Sequence, residues 1–142
     1  MGELEPPSAS LCLMRAPDHV VGVSVVIPVY AGATTLPSLI EELVALHPEA
    51  ISPSGIRFRV TEAVLVWDRG PGGADQTIRQ LAAAHDWVRP VWLSRNFGQH
   101  PATLAGMSSA SGEWIVTMDE DGQHDPAYIG AMLDRAYETD AQ

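Results

Sequence analysis

The stretch Asp119-Glu120-Asp121-Gly122-Gln123 carries the strongest chemical signal in the chain. In an extended loop, alternate side chains project to one side, so Asp119, Asp121 and Gln123 can converge while Glu120 points away. Two carboxylates and an amide oxygen are hard ligands of the kind that hold Mg2+ or Mn2+, with positions left for phosphate oxygens and water. A cation held this way would clamp a diphosphate and offset the charge that develops as it leaves. The competing reading is a solvated acidic turn that caps the next helix.

Three further polar clusters accompany it: Tyr30-Ala31-Gly32, Asp68-Arg69-Gly70 and Ser94-Arg95-Asn96-Phe97-Gly98. Asp68 can accept the imide hydrogen of a uracil or guanine ring, or it can bond the backbone of its own glycine-rich turn, which spacing alone favours. The planar fork of Arg95 suits two phosphate oxygens, with Asn96 beside it and Gly98 permitting close backbone approach. Arg95 could equally pair with surplus surface acid. His100 and His124 flank these clusters and read as structural or edge residues. The turn from Gly70 to Gly73 lacks the Lys-Ser/Thr of a P-loop and the G-x-G-x-x-G of a dinucleotide fold, so those two nucleotide sites are excluded.

The elements that must position these clusters follow from hydrophobic spacing. Residues 20–27 form a β-branched apolar run closed by Pro28, which predicts a buried strand. Leu36, Leu39, Ile40, Leu43 and Leu46 mark one face of a helix stopped by Pro48. The alternation repeats with a strand at 60–67, a helix at 74–85 carrying Ile78, Leu81 and Ala82 inward, and a strand at 88–93. A small-residue helix at 101–111, a strand at 114–118 and a final helix follow. Asp125-Pro126 opens that last helix, which buries Ile129, Met132, Leu133 and Ala136. Trp67, Trp87, Trp92 and Trp114 lie in or beside strands and read as core or sheet-face residues.

Four strand–helix units imply an α/β fold, a mostly parallel sheet covered by helices on both faces with right-handed crossovers. Ligands bind such sheets beyond the carboxyl ends of the strands. Each of the four polar clusters lies at such an end, so together they predict one site.

The chain has 142 residues, 46% of them hydrophobic, which suits one globular domain. Residues 1–19 mix Pro, Ser, Glu and Leu without periodicity and read as a mobile leader to a domain at 20–142. A net charge of -10 repels phosphate backbones, which argues against nucleic acid as a partner. Cys12 is the only cysteine, so no internal disulfide forms, as suits a reducing compartment. No apolar run approaches the ~18 residues that span a bilayer, and no signal peptide is evident, so the expected location is cytoplasmic.

Three motifs, taken together, resemble family 2 glycosyltransferases. Val23-Ser24-Val25-Val26-Ile27-Pro28-Val29-Tyr30 is similar to that family's opening pattern V-S-V-V-I-P-V-Y-N. Ser94-Arg95-Asn96-Phe97-Gly98-Gln99 resembles the L-S-R-N-F-G-Q segment of its dolichol-phosphate mannosyltransferase-like branch. Asp119-Glu120-Asp121-Gly122-Gln123-His124-Asp125-Pro126 resembles that branch's D-A-D-L-Q-H-P-P. The resemblance covers residues 20–137 and implies a GT-A (Rossmann-like) fold. It also implies a UDP- or GDP-linked sugar donor, Mg2+ or Mn2+, inversion at the anomeric carbon, and a polyprenyl-phosphate acceptor at the cytoplasmic membrane face. By position, Pro28 and Tyr30 would flank the base and Asp68 would contact it. Asp119 would sit near ribose or diphosphate, and Asp121 and Gln123 would hold the metal.

The departures are specific. Ala31 and Gly32 stand where the family usually carries Asn-Glu, and Trp67-Asp68-Arg69-Gly70 keeps one carboxylate of the usual V-D-D-G-S. Gly122 replaces a Leu. A family member continues with further strands, an acceptor-binding segment and often membrane helices. The expectation is therefore a fold truncated after its fourth strand–helix unit. Its acceptor half and membrane contact would lie elsewhere, and it would transfer little sugar alone. A polysaccharide-type transferase, whose general base would lie in the absent half, and a non-catalytic nucleotide-binding fragment are the alternatives. No catalytic residue is assigned, and an exposed sheet edge makes a homo-oligomer possible.

Overall fold

A computed structural model of the chain describes residues 17–121 and 125–140. Five strands form one sheet: β1 (Val21–Val29), β2 (Ala50–Ile51), β3 (Arg57–Trp67), β4 (Val88–Trp92) and β5 (Trp114–Thr117). The helices are α1 (Leu36–Val44), α2 (Ala74–Ala84), α3 (Gln99–Ser109) and α4 (Ile129–Asp140), the last preceded by a 3-10 turn at Pro126–Tyr128. β1 lies at the centre, parallel to β3 on one side and to β5 on the other. β3 is flanked outward by parallel β4, and at its opposite end by β2, the only antiparallel strand described.

The central strand is apolar on both faces because both are covered. Val21, Val23, Val25, Ile27 and Val29 project into the larger core with Leu36, Leu39, Ile40 and Leu43 of α1, Ile78 of α2, and Ile129 and Leu133 of α4. Val26 projects to the other face, where Val64, Val66 and Ala102 form a smaller core under α3. The backbone of α3 comes very close there. A Cβ added at Gly106 would lie 2.4 Å from Val26 Cγ1 and 2.7 Å from Val66 Cγ2.

β3 begins earlier than hydrophobic spacing predicts, at Arg57. A bulge explains the difference. Val23 pairs with Val60 but Ser24 pairs with Glu62, so Thr61 is the extra residue. Phe58 and Val60 face the larger core before the bulge, and Ala63 and Leu65 face it afterwards. The switch in parity also turns Glu62 toward the C-terminal end of α3. There its buried carboxylate accepts from Ser24 Oγ at 2.6 Å and Ser111 N at 2.7 Å, and pairs with Arg89.

The helices differ from expectation in detail. α3 starts two residues early, after Gly98, whose φ of 100° glycine adopts at little cost and other residues only with strain. Asp125 caps the last helical segment by accepting from Ala127 N at 2.9 Å, but the first turn is 3-10 and α4 proper starts at Ile129. Met132, expected inside, is 41% exposed. Ile129 and Leu133, one turn apart, take the inward face, and Met132 falls to the side beside Trp114–Thr117 of β5. No described helix is long and apolar enough to cross a membrane. Of the residues read as leader, Asp18 accepts from Arg57 through its carbonyl, and His19 pairs with Glu113 at 2.9 Å.

Candidate functional site

The strand order reverses at β1: the chain runs from β1 out to β3 and β4, then returns through α3 to β5 on the other side. A doubly wound sheet opens a crevice at such a point, beyond the carboxyl ends of its strands. A cleft of about 430 Å³ lies there, within the range of small-molecule sites. Pro28, Val29 and Tyr30 line it from the end of β1, and Asp68 from the end of β3. Asn96, Gly98 and Gln99 line it from the loop opening α3, and Asp119, Glu120 and Asp121 from the loop after β5.

Seven of the residues singled out in the sequence thus share one cleft: Pro28, Tyr30, Asp68, Asn96, Gly98, Asp119 and Asp121. Arg95 is not among the lining residues. Its guanidinium lies over the Phe97 ring, 4.7 Å from the centroid. Gln123, like His124, lies outside the described residues.

Asp68 holds the floor of the cleft. It is 4% exposed, and its two carboxylate oxygens accept from Phe97 N at 2.9 Å and Gly98 N at 3.1 Å. Its own N–H donates to Val29 O at 2.8 Å. The partner of this carboxylate is therefore neither its own turn nor open solvent but the backbone that begins α3. Each oxygen keeps further lone-pair capacity.

Glu120 does not turn away from the site, as alternation predicted. Its carboxylate reaches back to the loop after β1 and accepts from Tyr30 N at 2.9 Å and Ala31 N at 3.2 Å. The Thr35 hydroxyl donates to the Glu120 carbonyl. Gln99 also escaped the residue-by-residue reading. Its amide donates to Asp119 Oδ1 at 3.1 Å, tying the start of α3 to the acidic loop. The signal for Gln99 was its place in the Ser94–Gln99 segment; nothing local signalled the reach of Glu120.

The electrostatics of the cleft are one-sided. Its described lining contains four carboxylates, Asp68, Asp119, Glu120 and Asp121, and no cation. Asp68 and Glu120 are engaged by backbone N–H groups, whereas Asp119 and Asp121 stand on the loop that the sequence reads as a metal motif. Among the described residues no three His, Cys, Asp or Glu side chains converge on one point. An all-protein cage is therefore not described. Two carboxylates completed by ligand oxygens and water form a donor set that fits a hard divalent ion.

A mostly parallel sheet with helices on both faces and a cleft at its switch point is the GT-A arrangement, which the chain shares with solved structures that include a mannosyltransferase. The chain belongs to glycosyl transferase family 2, which matches residues 24–142. It is 37% identical over 129 residues to the undecaprenyl-phosphate 4-deoxy-4-formamido-L-arabinose transferase of Serratia proteamaculans, covering 88% of this chain and 36% of that protein. The Pseudomonas aeruginosa protein of the same name is 39% identical over 116 residues, covering 80% and 32%. The chain thus spans about a third of the length of these relatives. Among solved structures it is similar to the mannosyltransferase PcManGT from Pyrobaculum calidifontis in complex with GDP-Man and Mn2+. That match has a TM-score of 0.59 at 20% identity and covers 75% of this chain and 29% of that one. Staphylococcus aureus TarS in complex with UDP gives a TM-score of 0.55 at 20% identity, covering 70% and 27%.

Proposed function

We propose that residues 20–142 form the donor-binding part of a metal-dependent, inverting glycosyltransferase that moves a sugar from a UDP- or GDP-linked donor to a polyprenyl phosphate. The observation that carries the reading is the lining of the cleft: acid on its described walls, no cation, at the switch point of the sheet. Carboxylates repel a diphosphate, and a divalent ion between them would remove that repulsion. Asp119 and Asp121, with Gln123, are the residues that would hold it, and the ion would offset charge on the departing nucleoside diphosphate. The complex of PcManGT with GDP-Man and Mn2+ supports the same chemistry by likeness of fold.

The chain's own residues have distinct tasks in this reading. Pro28 and Tyr30 flank the base. Asp68 accepts from it with lone pairs left over from Phe97 and Gly98. Asn96 and Gly98 lie along the diphosphate, and Arg95 reaches a phosphate only by leaving the face of Phe97. The names of the relatives support an undecaprenyl-phosphate acceptor. Such a phosphate arrives ionised, so transfer to it needs no general base from the protein. A glycan hydroxyl would need one.

The test is transfer by a form of the protein extended to the relatives' full length. Release of UDP or GDP from a sugar nucleotide, dependent on both undecaprenyl phosphate and Mn2+, is the expected result. Release only with a glycan acceptor would reassign the acceptor to a polysaccharide. No release with any acceptor, from a folded protein that still binds nucleotide, would leave a non-catalytic binding module.

A further inference from the structure

Glu120 and Gly32 compete for one volume. A Cβ added at Gly32 would lie 2.4 Å from Glu120 Oε1 and 3.0 Å from Glu120 Cβ. Through that space Glu120 Oε1 accepts from Tyr30 N at 2.9 Å, and Oε2 accepts from Tyr30 N at 3.0 Å and Ala31 N at 3.2 Å. These N–H groups fall between the end of β1 at Val29 and the start of α1 at Leu36, where no ladder or helix supplies an acceptor. The Thr35 hydroxyl, bonded to the Glu120 carbonyl, fixes the same residue a second time. Residue 120 is thus fastened to the β1–α1 loop through both side chain and backbone.

We infer that Glu120 is a positioning residue: it locks the loop bearing Tyr30 to the loop bearing Asp119 and Asp121, so that base and diphosphate are met at a fixed separation. This rests on the donor-binding reading above. Residues 32 and 120 are further an exchangeable pair, in which one acid, supplied from either side of the gap, serves the same two N–H groups. Glycine at 32 leaves open the space that the Glu120 carboxylate fills.

A double-mutant cycle on the 142-residue chain tests the inference, using Glu120→Ala, Gly32→Glu and the double variant. Two quantities are read: amide exchange at Tyr30 and Ala31, and affinity for UDP and GDP with Mn2+. Loss of charge-assisted bonds predicts exchange at those amides, and a nucleotide Kd, each raised about tenfold or more in Glu120→Ala. Gly32→Glu alone is also impaired, because two carboxylates then crowd one space. The double variant is better than either single variant in both readouts. Should Glu120→Ala not fold, Glu120→Gln replaces it with the same expectation, since an amide is the weaker acceptor. Unchanged exchange in a folded Glu120 variant, or a double variant no better than the singles, overturns the inference. Faster exchange with unchanged nucleotide affinity also overturns it, leaving Glu120 a purely structural staple. If the unaltered chain binds neither nucleotide, the donor reading is what has failed, and the exchange data still decide whether the two loops are locked by an exchangeable acid.

Discussion

The carboxylate of Asp68, at the end of β3, accepts the backbone N–H of Gly98 at 3.1 Å, and so fixes where α3 begins. Its other oxygen takes Phe97 N at 2.9 Å. A residue that sequence pattern offers as a ligand contact is therefore also the anchor of the loop that lines the cleft.

Replacing it separates the two tasks. Asp68→Ala leaves two N–H groups unpaired in a site only 4% exposed and should cost about 2 kcal/mol or more in urea unfolding. Asp68→Asn keeps the volume but turns an amide N–H2 toward one of two donors, and should fall between Ala and wild type. Equal stability of all three would show that the anchor carries no load.

Glu62 gives a pH dependence of definite sign. Burial pushes its pKa up, but hydrogen bonds from Ser24, Ser111 and Arg89 outweigh this and hold it below the ordinary 4.5. A group depressed on folding stabilises the fold above its unfolded value, and that stability disappears as pH falls through the folded value. Wild type should therefore exceed Glu62→Gln by about 2 kcal/mol at pH 7, with the gap closing below pH 4.5. Denaturant titrations between pH 3 and pH 7 would read this; a constant gap would contradict it.

At the surface the sign is reversed. His19 is raised above 6.5 by its hydrogen bond to Glu113 and by that residue's charge. Whatever stability the pair adds is present below 6.5 and lost as pH rises through the raised value. Following the imidazole by NMR, the titration should move down toward 6.5 in Glu113→Gln and stay raised in Asp18→Asn, since Asp18 contributes least.

Gly106 sets helix propensity against packing. Ala gains about 1 kcal/mol over Gly in a helix interior. Here the added Cβ would sit 2.4 Å from Val26 Cγ1, so α3 must lift from the sheet. Overpacking costs about 1–3 kcal/mol, so Gly106→Ala should be destabilised on balance in thermal unfolding. A stabilised variant would mean that α3 moves freely on its small core.

Much of this fold is legible in the sequence because burial on both faces leaves an unbroken apolar run, as at Val23–Ile27, and because one-faced helices such as α1 space their leucines regularly. What escaped was non-local. β2 is two residues long and exists only because Ala50 and Ile51 pair with Phe58 and Arg57. The start of β3 was hidden by the bulge at Thr61, which inverts the alternation on which strand reading depends. Met132 has the spacing of a core residue, and only the placement of β5 tells which side of α4 faces inward. Residues of the four strand-end clusters could be expected to meet at one cleft because the parallel topology collects such ends. The roles of Asp68 and Glu120 were not, since their partners are 30 and 90 residues away.

Under the proposed function, Asp119 and Asp121 admit a nucleoside diphosphate to this acidic cleft through a divalent ion. Calorimetric titration of UDP, GDP and dTDP into the chain, with Mn2+ and again with EDTA, alongside Asp121→Ala, measures whether they do. Binding of one nucleotide with Mn2+, abolished by EDTA and by the substitution, is the predicted result. Binding that is equally tight with EDTA, or undiminished in Asp121→Ala, would contradict it.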